Sequence, residues 1–287
     1  MAKQYARTFG QDLMRGEHVV GGGMDKTGLA YGVNEWVRGK IDDGDIAGGL
    51  SSNHTGTSIF DPVLCELSYR WFCPPGGTIL DPFAGGSVRG IVASKLGFHY
   101  LGIELRHEQV AANMAQGLAL CGAPVPRWVE GDSADVLPRM AGGDEPVAAD
   151  FIFSCPPYAD LEVYSDDPRD ISNMPYAQFR VRYGEIIKMA CALLRPDRFA
   201  CFVVGDARGK DGCYYGLPWH TVQAFEEAGL RLYNESVLVT SVGSLPVRVT
   251  KQFQASRKLG KTHQNVLVFV KGNARKAASA CGGADAD

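Results

Sequence analysis

The stretch TILDPFAGGSVRGIVASKLGFHYLGIEL, Thr78–Leu105, decides the fold. A short apolar run ends on Asp81 and stops at Pro82. Glycines follow at 85 and 86, and SVRGIVASKL then has the texture of a helix whose N-terminus sits at those glycines. HYLGIEL is a second strand, ending in Glu104. Strand, glycine turn, helix and strand make a βαβ unit, so the two strands lie parallel in one sheet.

The same alternation continues outward. FDPVLCELSYRWF, before the unit, has apolar residues at helical spacing (Val63, Leu64, Leu67, Trp71). HEQVAANMAQGLAL reads as a helix, RWVEGDSADVL as a third strand and a turn, and ADFIFSCPPY as a fourth strand. YAQFRVRYGEIIKMACALL is a long helix, RFACFVVGD a fifth strand and WHTVQAFEEAGL a further helix. YNESVLVTSV and NVLVFVKG close the chain as a pair of strands that adds an antiparallel edge. The expected architecture is α/β: a mostly parallel sheet, helices on both faces and an antiparallel edge strand. Residues 1–57, rich in glycine, read as an irregular arm or cap. One domain spans 58–272, with substrate loops at 159–176 and 243–262, and 273–287 reads as a flexible tail.

Composition bounds the function. The 287 residues suffice for one large α/β domain, and 45% apolar with 21% charged residues is ordinary for a globular protein. A net charge of -3 does not point to a polyanion, but its distribution does: Ser236 to Ala284 contains no Asp or Glu and carries Arg248, Lys251, Arg257, Lys258 and Lys261 among its cations. The eight cysteines include no C-x-x-C pair and no histidine at metal-ligand spacing, so no metal is expected. With no signal peptide and no run long enough to span a bilayer, the expectation is a cytoplasmic protein with reduced thiols and no membrane partner.

Ligands of open α/β sheets bind at the carboxyl ends of the strands. Asp81-Pro82-Phe83-Ala84-Gly85-Gly86-Ser87 follows the first strand, offering a close backbone approach and a helix N-terminus. Glu104 and Leu105 end the second strand, about twenty residues on, where an acid accepts ribose hydroxyls. Asp132 and Ser133 end the third, placed to read an adenine edge. The glycines do not follow G-x-G-x-x-G, which argues against a nicotinamide dinucleotide. A cationic nucleoside such as S-adenosylmethionine needs no phosphate cradle, and Asp81 would suit its ammonium or sulfonium centre. The plainer alternative makes Asp81 and Asp132 turn or capping residues.

The fourth strand ends in Ser154-Cys155-Pro156-Pro157-Tyr158. Two prolines cannot continue a ladder, so they form a stiff ledge. With the cofactor segments before it, this chain resembles the S-adenosylmethionine-dependent amino-methyltransferases of DNA, the adenine-N6 and cytosine-N4 family, over roughly residues 57–272. That resemblance implies a Rossmann-like methyltransferase fold. It assigns Asp81 and Gly85 to the methionine portion, Glu104 to the ribose, Asp132 to the adenine, and Phe60 and Asp61 to the rim of the cofactor site. The family signature is Asp, Asn or Ser, then Pro-Pro and an aromatic. Acceptors at the first position and on the backbone free the lone pair of an exocyclic amine, and the aromatic stacks on the extruded base.

Cys155 departs from that signature, since a thiol is a weak acceptor. Ser154 or the Cys155 carbonyl stands as its replacement. The resemblance implies double-stranded DNA as partner, as in restriction–modification, with Tyr164, Arg248, Lys251, Phe253, Arg257, Lys258 and Lys261 as candidate contacts. It leaves open cytosine-N4 against adenine-N6 and the oligomeric state, a homodimer included. Alternatives are an RNA or protein-glutamine methyltransferase of the same fold, and an inactive cofactor-binding subunit.

Overall fold

The computed structural model describes residues 60–143, 146–159, 164–240 and 245–282; the arm expected at 1–57 lies outside them. Helix α1 (Pro62–Phe72) leads into β1 (Thr78–Asp81), α2 (Val88–Lys95), β2 (His99–Glu104), α3 (His107–Leu120) and β3 (Arg127–Glu130). Then come α4 (Ser133–Gly142), β4 (Ala149–Ser154), a 3-10 turn (Ile171–Asn173), α5 (Tyr176–Leu193), β5 (Leu194–Val204) and α6 (Leu217–Glu227). The chain closes with β6 (Arg231–Val239), α7 (Leu245–Ser256), β7 (His263–Lys271) and α8 (Ala274–Ala280).

The seven strands form one sheet in the order β3-β2-β1-β4-β5-β7-β6. β1 pairs in parallel with both β2 and β4, so the strand order reverses there and opens a crevice at the carboxyl ends. β7 runs antiparallel to β5 and to β6 and separates them. β4 is buried at every position, and its centre is the apolar run Phe151–Phe153 between the paired Asp150 and Ser154. Successive residues feed opposite cores: Leu80 and Ile152 pack with α4, α5 and α6, while Ile79, Phe151 and Phe153 pack against Tyr69 of α1 and Val92 of α2. The architecture is the Rossmann-like, doubly wound one that the strand–helix alternation implies.

Three sequence expectations are corrected. The turn after β3 is a full helix, α4, capped by Asp132 and carrying Pro138 inside it. The span 243–262 is not a loop throughout: Leu245–Ser256 is helical. The tail expectation fails over Ala274–Ala280, a helix whose cap Asn273 accepts from the amides of Arg275 and Lys276 and whose Ala277 is buried.

Candidate active site

β1 delivers Asp81 to the crevice, but its carboxylate faces inward. It is fully buried, and four donors reach it. The Arg89 guanidinium donates at 2.6 Å and the Tyr100 hydroxyl at 2.7 Å to one oxygen. Ser154 Oγ at 2.5 Å and the Phe83 amide at 3.1 Å donate to the other. Arg89 also donates to the carbonyls of Phe83 and Ala84, at 2.6 and 2.7 Å, so one guanidinium threads the whole loop. Burial works against the Arg89 charge, and Asp81 and Tyr100 more than offset it, holding the group above the ordinary arginine range. Asp81 is therefore the anchor of the glycine loop, not a free counter-ion for an ammonium group. Sequence reasoning missed Arg89; its one signal was a cation eight residues after Asp81 inside an otherwise apolar helix.

The loop beyond is shaped by backbone bonds. The Ala84 amide donates to the Ile103 carbonyl at 2.9 Å and Asn113 donates to the Gly85 carbonyl at 2.7 Å. Gly85 sits at φ 51°, a left-handed conformation that favours glycine. Ser87 donates to Gln116 of α3, and Gly86 has open space around it. Phe83 turns away from the crevice, its ring against Tyr183 and Phe202 in the core.

Glu104 ends β2 with one oxygen accepting from the Gly85 amide at 2.9 Å and the other from the Arg106 amide at 3.0 Å. Burial raises its pKa above the ordinary glutamate value, partly countered by those amides and by the Arg106 charge. A carboxylate has about four acceptor sites, so capacity remains for two hydroxyls. Leu105 follows, half-buried. Asp132 caps α4 through the Ala134 amide at 2.9 Å and pairs with Arg182 of α5 at 2.9 Å. Its carboxylate thus has structural work of its own. Ser133 donates to the Pro82 carbonyl at 2.5 Å, tying the ends of β3 and β1 together.

At the end of β4 the ledge is packed down. Ser154 is fully buried and its hydroxyl is committed to Asp81, so it does not replace the missing side-chain acceptor. Pro156 is buried, and Pro157 and Cys155 are half-buried. The Cys155 thiol and the Tyr158 hydroxyl lie 3.3 Å apart. The Tyr158 ring covers Gly205 so closely that a Cβ there would fall 3.0 Å from Cε2. Burial pushes the Tyr158 hydroxyl well above the ordinary tyrosine range, so it stays protonated. Directly after it Ala159, buried, is held at φ 55°, a strained conformation for alanine.

Of the remaining candidates, Phe60 packs edge-on to Phe153 and lies 4.9 Å beneath Arg89, so it borders the Asp81 network. Asp61 is an exposed N-cap for α1, accepting from the Val63 amide at 2.8 Å. Past 160–163, which include Asp160 and Glu162 and lie outside the described residues, half-buried Tyr164 begins a loop knotted around Asp170. Asp170 accepts from Ser165 and from the amide and hydroxyl of Ser172, and its charge reaches Glu104. Lys251, Phe253, Arg257, Lys258 and Lys261 fall on or after α7, at the same edge of the sheet as the ledge, because β6 ends and β7 begins there. Arg248 lies in α7, with its side chain outside the described residues.

Sheet order and the loops at the β1/β4 reversal place this chain in the doubly wound α/β class. No protein-family model matches the chain, and no curated protein matches it in sequence. Solved structures are similar in fold. A TehB-like SAM-dependent methyltransferase from Corynebacterium glutamicum is 17% identical over 82% of this chain and 96% of that one, with a TM-score of 0.42. A methyltransferase from Pyrococcus furiosus is 16% identical over 83% and 96%, at 0.47. The magnesium protoporphyrin IX methyltransferase of Synechocystis, solved with bound SAM, is 10% identical over 94% of each chain, at 0.45. At these values the likeness concerns fold alone. Among the described residues no helix is long and apolar enough to cross a membrane, and no group of His, Cys, Asp and Glu is placed to hold a metal.

Proposed function

We propose that the protein transfers a methyl group from S-adenosylmethionine to an exocyclic amino group of a base swung out of double-stranded DNA. The observation that carries this reading is the Ser154–Asp81 hydrogen bond, which sets the proline ledge directly against the glycine loop. The residues fit the cofactor: an open approach at Gly86, a left-handed Gly85 and a Glu104 carboxylate with spare acceptor sites. When bound, the cofactor supplies the methyl as a sulfonium electrophile. The chain then has to hold the acceptor amine in line. With Ser154 bonded to Asp81 and the Cys155 thiol beside Tyr158, the Cys155 carbonyl would accept a hydrogen bond from the amine N–H and so orient its lone pair. Proline at 156 leaves no adjacent amide to compete for that carbonyl's surroundings. The basic segment at the same edge favours nucleic acid over a protein amide.

The test is to incubate purified protein with duplex DNA and methyl-labelled cofactor, then to digest the DNA and analyse the nucleosides by mass spectrometry. N4-methylcytidine or N6-methyladenosine in its deoxy form is the expected product. Label appearing only in RNA or protein, or nowhere, overturns the proposal.

Glu104→Ala is expected to weaken cofactor binding about tenfold to a hundredfold, the loss of one or two charge-assisted hydrogen bonds. Because burial raises the Glu104 pKa, wild-type affinity should fall on acidification already above the ordinary glutamate range, as the acceptor carboxylate takes up its proton. Calorimetric titration across pH checks both. An affinity indifferent to pH removes Glu104 from the cofactor site.

A further inference from the structure

The loop after β5 and the chain after α7 border an open cavity of about 720 Å³ whose lining includes Arg208, Tyr214, Arg257, Lys258, Lys261 and His263. We infer that this cavity is a phosphodiester site that grips the nucleic-acid strand beside the target base, with Arg208 and Tyr214 as half of the grip; this rests on the function proposed above.

Four permanent cations line it against a single carboxylate, Asp211, which is occupied in its own turn by accepting from the Cys213 amide at 2.9 Å. Among the described residues none of those four cations has a carboxylate within ion-pair distance, whereas Arg89, Arg106, Arg182, Arg195 and Arg198 all do. Like charges gathered without counter-charges repel, and an arriving polyanion relieves that repulsion. The gathering is built rather than incidental. The Arg208 guanidinium lies 3.7 Å from the Tyr214 ring centroid and donates to the Gly212 carbonyl at 2.8 Å. Lys261 stands 5.8 Å from the same ring. A Cβ at Gly212 would come within 2.8 Å of the Lys258 ammonium, so glycine there lets the loop and that lysine close together. Tyr214 is thus a post that holds cations from two segments some forty residues apart in one place.

Its position fits a strand entering the ledge. Gly205, which carries the Tyr158 ring, is three residues before Arg208, and His263 opens β7 at the same edge. A backbone phosphate held here flanks a base delivered to Tyr158.

The experiment measures binding of a labelled duplex oligonucleotide to the full chain over a series of salt concentrations. Each phosphate contact contributes about 0.9 to the slope of log affinity against log salt. Lys258→Ala with Lys261→Ala should make that slope shallower by about 2 and weaken binding at fixed salt at least about tenfold, equally for all sequences. Lys258→Arg with Lys261→Arg, which keeps both charges, should restore the slope, and unchanged thermal melting shows that both variants fold. A wild type that methylates DNA, paired with an alanine variant of unaltered slope, overturns the cavity's role and leaves the function standing. A wild type that neither binds nor methylates nucleic acid overturns the function on which this inference rests.

Discussion

Arg89→Ala should remove a large share of the chain's folding stability. The guanidinium is about as buried as its partner, and its removal strips Asp81 of the one counter-charge it has among the described residues while two loop carbonyls lose their donor. Breaking a buried pair from one side costs about 3–5 kcal/mol, against a total stability of about 5–15 kcal/mol for a typical domain. Lysine is a poor rescue, since a single ammonium cannot reach Asp81, Phe83 and Ala84 with the geometry of a planar fork. Removing both charges together, as Asp81→Asn with Arg89→Met, should recover much of the loss because no uncompensated charge then stays buried. Urea unfolding of the four proteins checks this. An Arg89→Ala variant as stable as the wild type would mean the network is ornamental.

The largest functional effect is expected at Tyr158. Tyr158→Ala removes the ring that covers Gly205 and the hydroxyl beside Cys155. Cofactor binding should survive, because none of the groups around Gly85 and Glu104 is bonded to that ring. Methyl transfer should fall by about a hundredfold or more, the scale of misplacing a reacting group by an ångström. Phenylalanine separates the two parts of the side chain: it keeps the ring and loses the hydroxyl with its Cys155 contact and its Gly205 backbone hydrogen bond, so Tyr158→Phe should retain most turnover if stacking is what matters. Methyl incorporation and cofactor titration on the same preparations read both. Equal loss of binding and turnover would make Tyr158 a structural prop.

The sheet was largely legible in the sequence because strands buried on both faces have apolar centres, as β1, β2, β4 and the second half of β5 do. Two helices were hidden for different reasons. α4 contains Pro138 and so reads as a turn, and in α7 the interleaved cations Arg248 and Lys251 draw the reading to a basic loop although Leu245, Val249 and Phe253 recur at helical spacing. Within the site, positions were legible and roles were not. Asp81, Asp132 and Ser154 were found at strand ends because acids and small polar residues stand out there. What each does depends on Arg89, Tyr100 and Arg182, which arrive from other elements and leave no local pattern. Asp61 has a local role that the sequence also signals: it precedes a proline at a helix start and caps that helix. Cys155 remains the departure that the resemblance cannot absorb, and the structure meets it with a tyrosine hydroxyl instead of an open acceptor.

The placement of β7 between β5 and β6 governs the order in which the molecule can be assembled. During synthesis β6 leaves the ribosome well before its sole neighbour in the sheet, and it must wait without a ladder until Val266–Val270 emerge. The cation-rich turn that follows α7 is therefore fixed only at the last step. A nascent chain halted before His263 carries those cations but lacks the strand that pins the turn bearing them to the sheet.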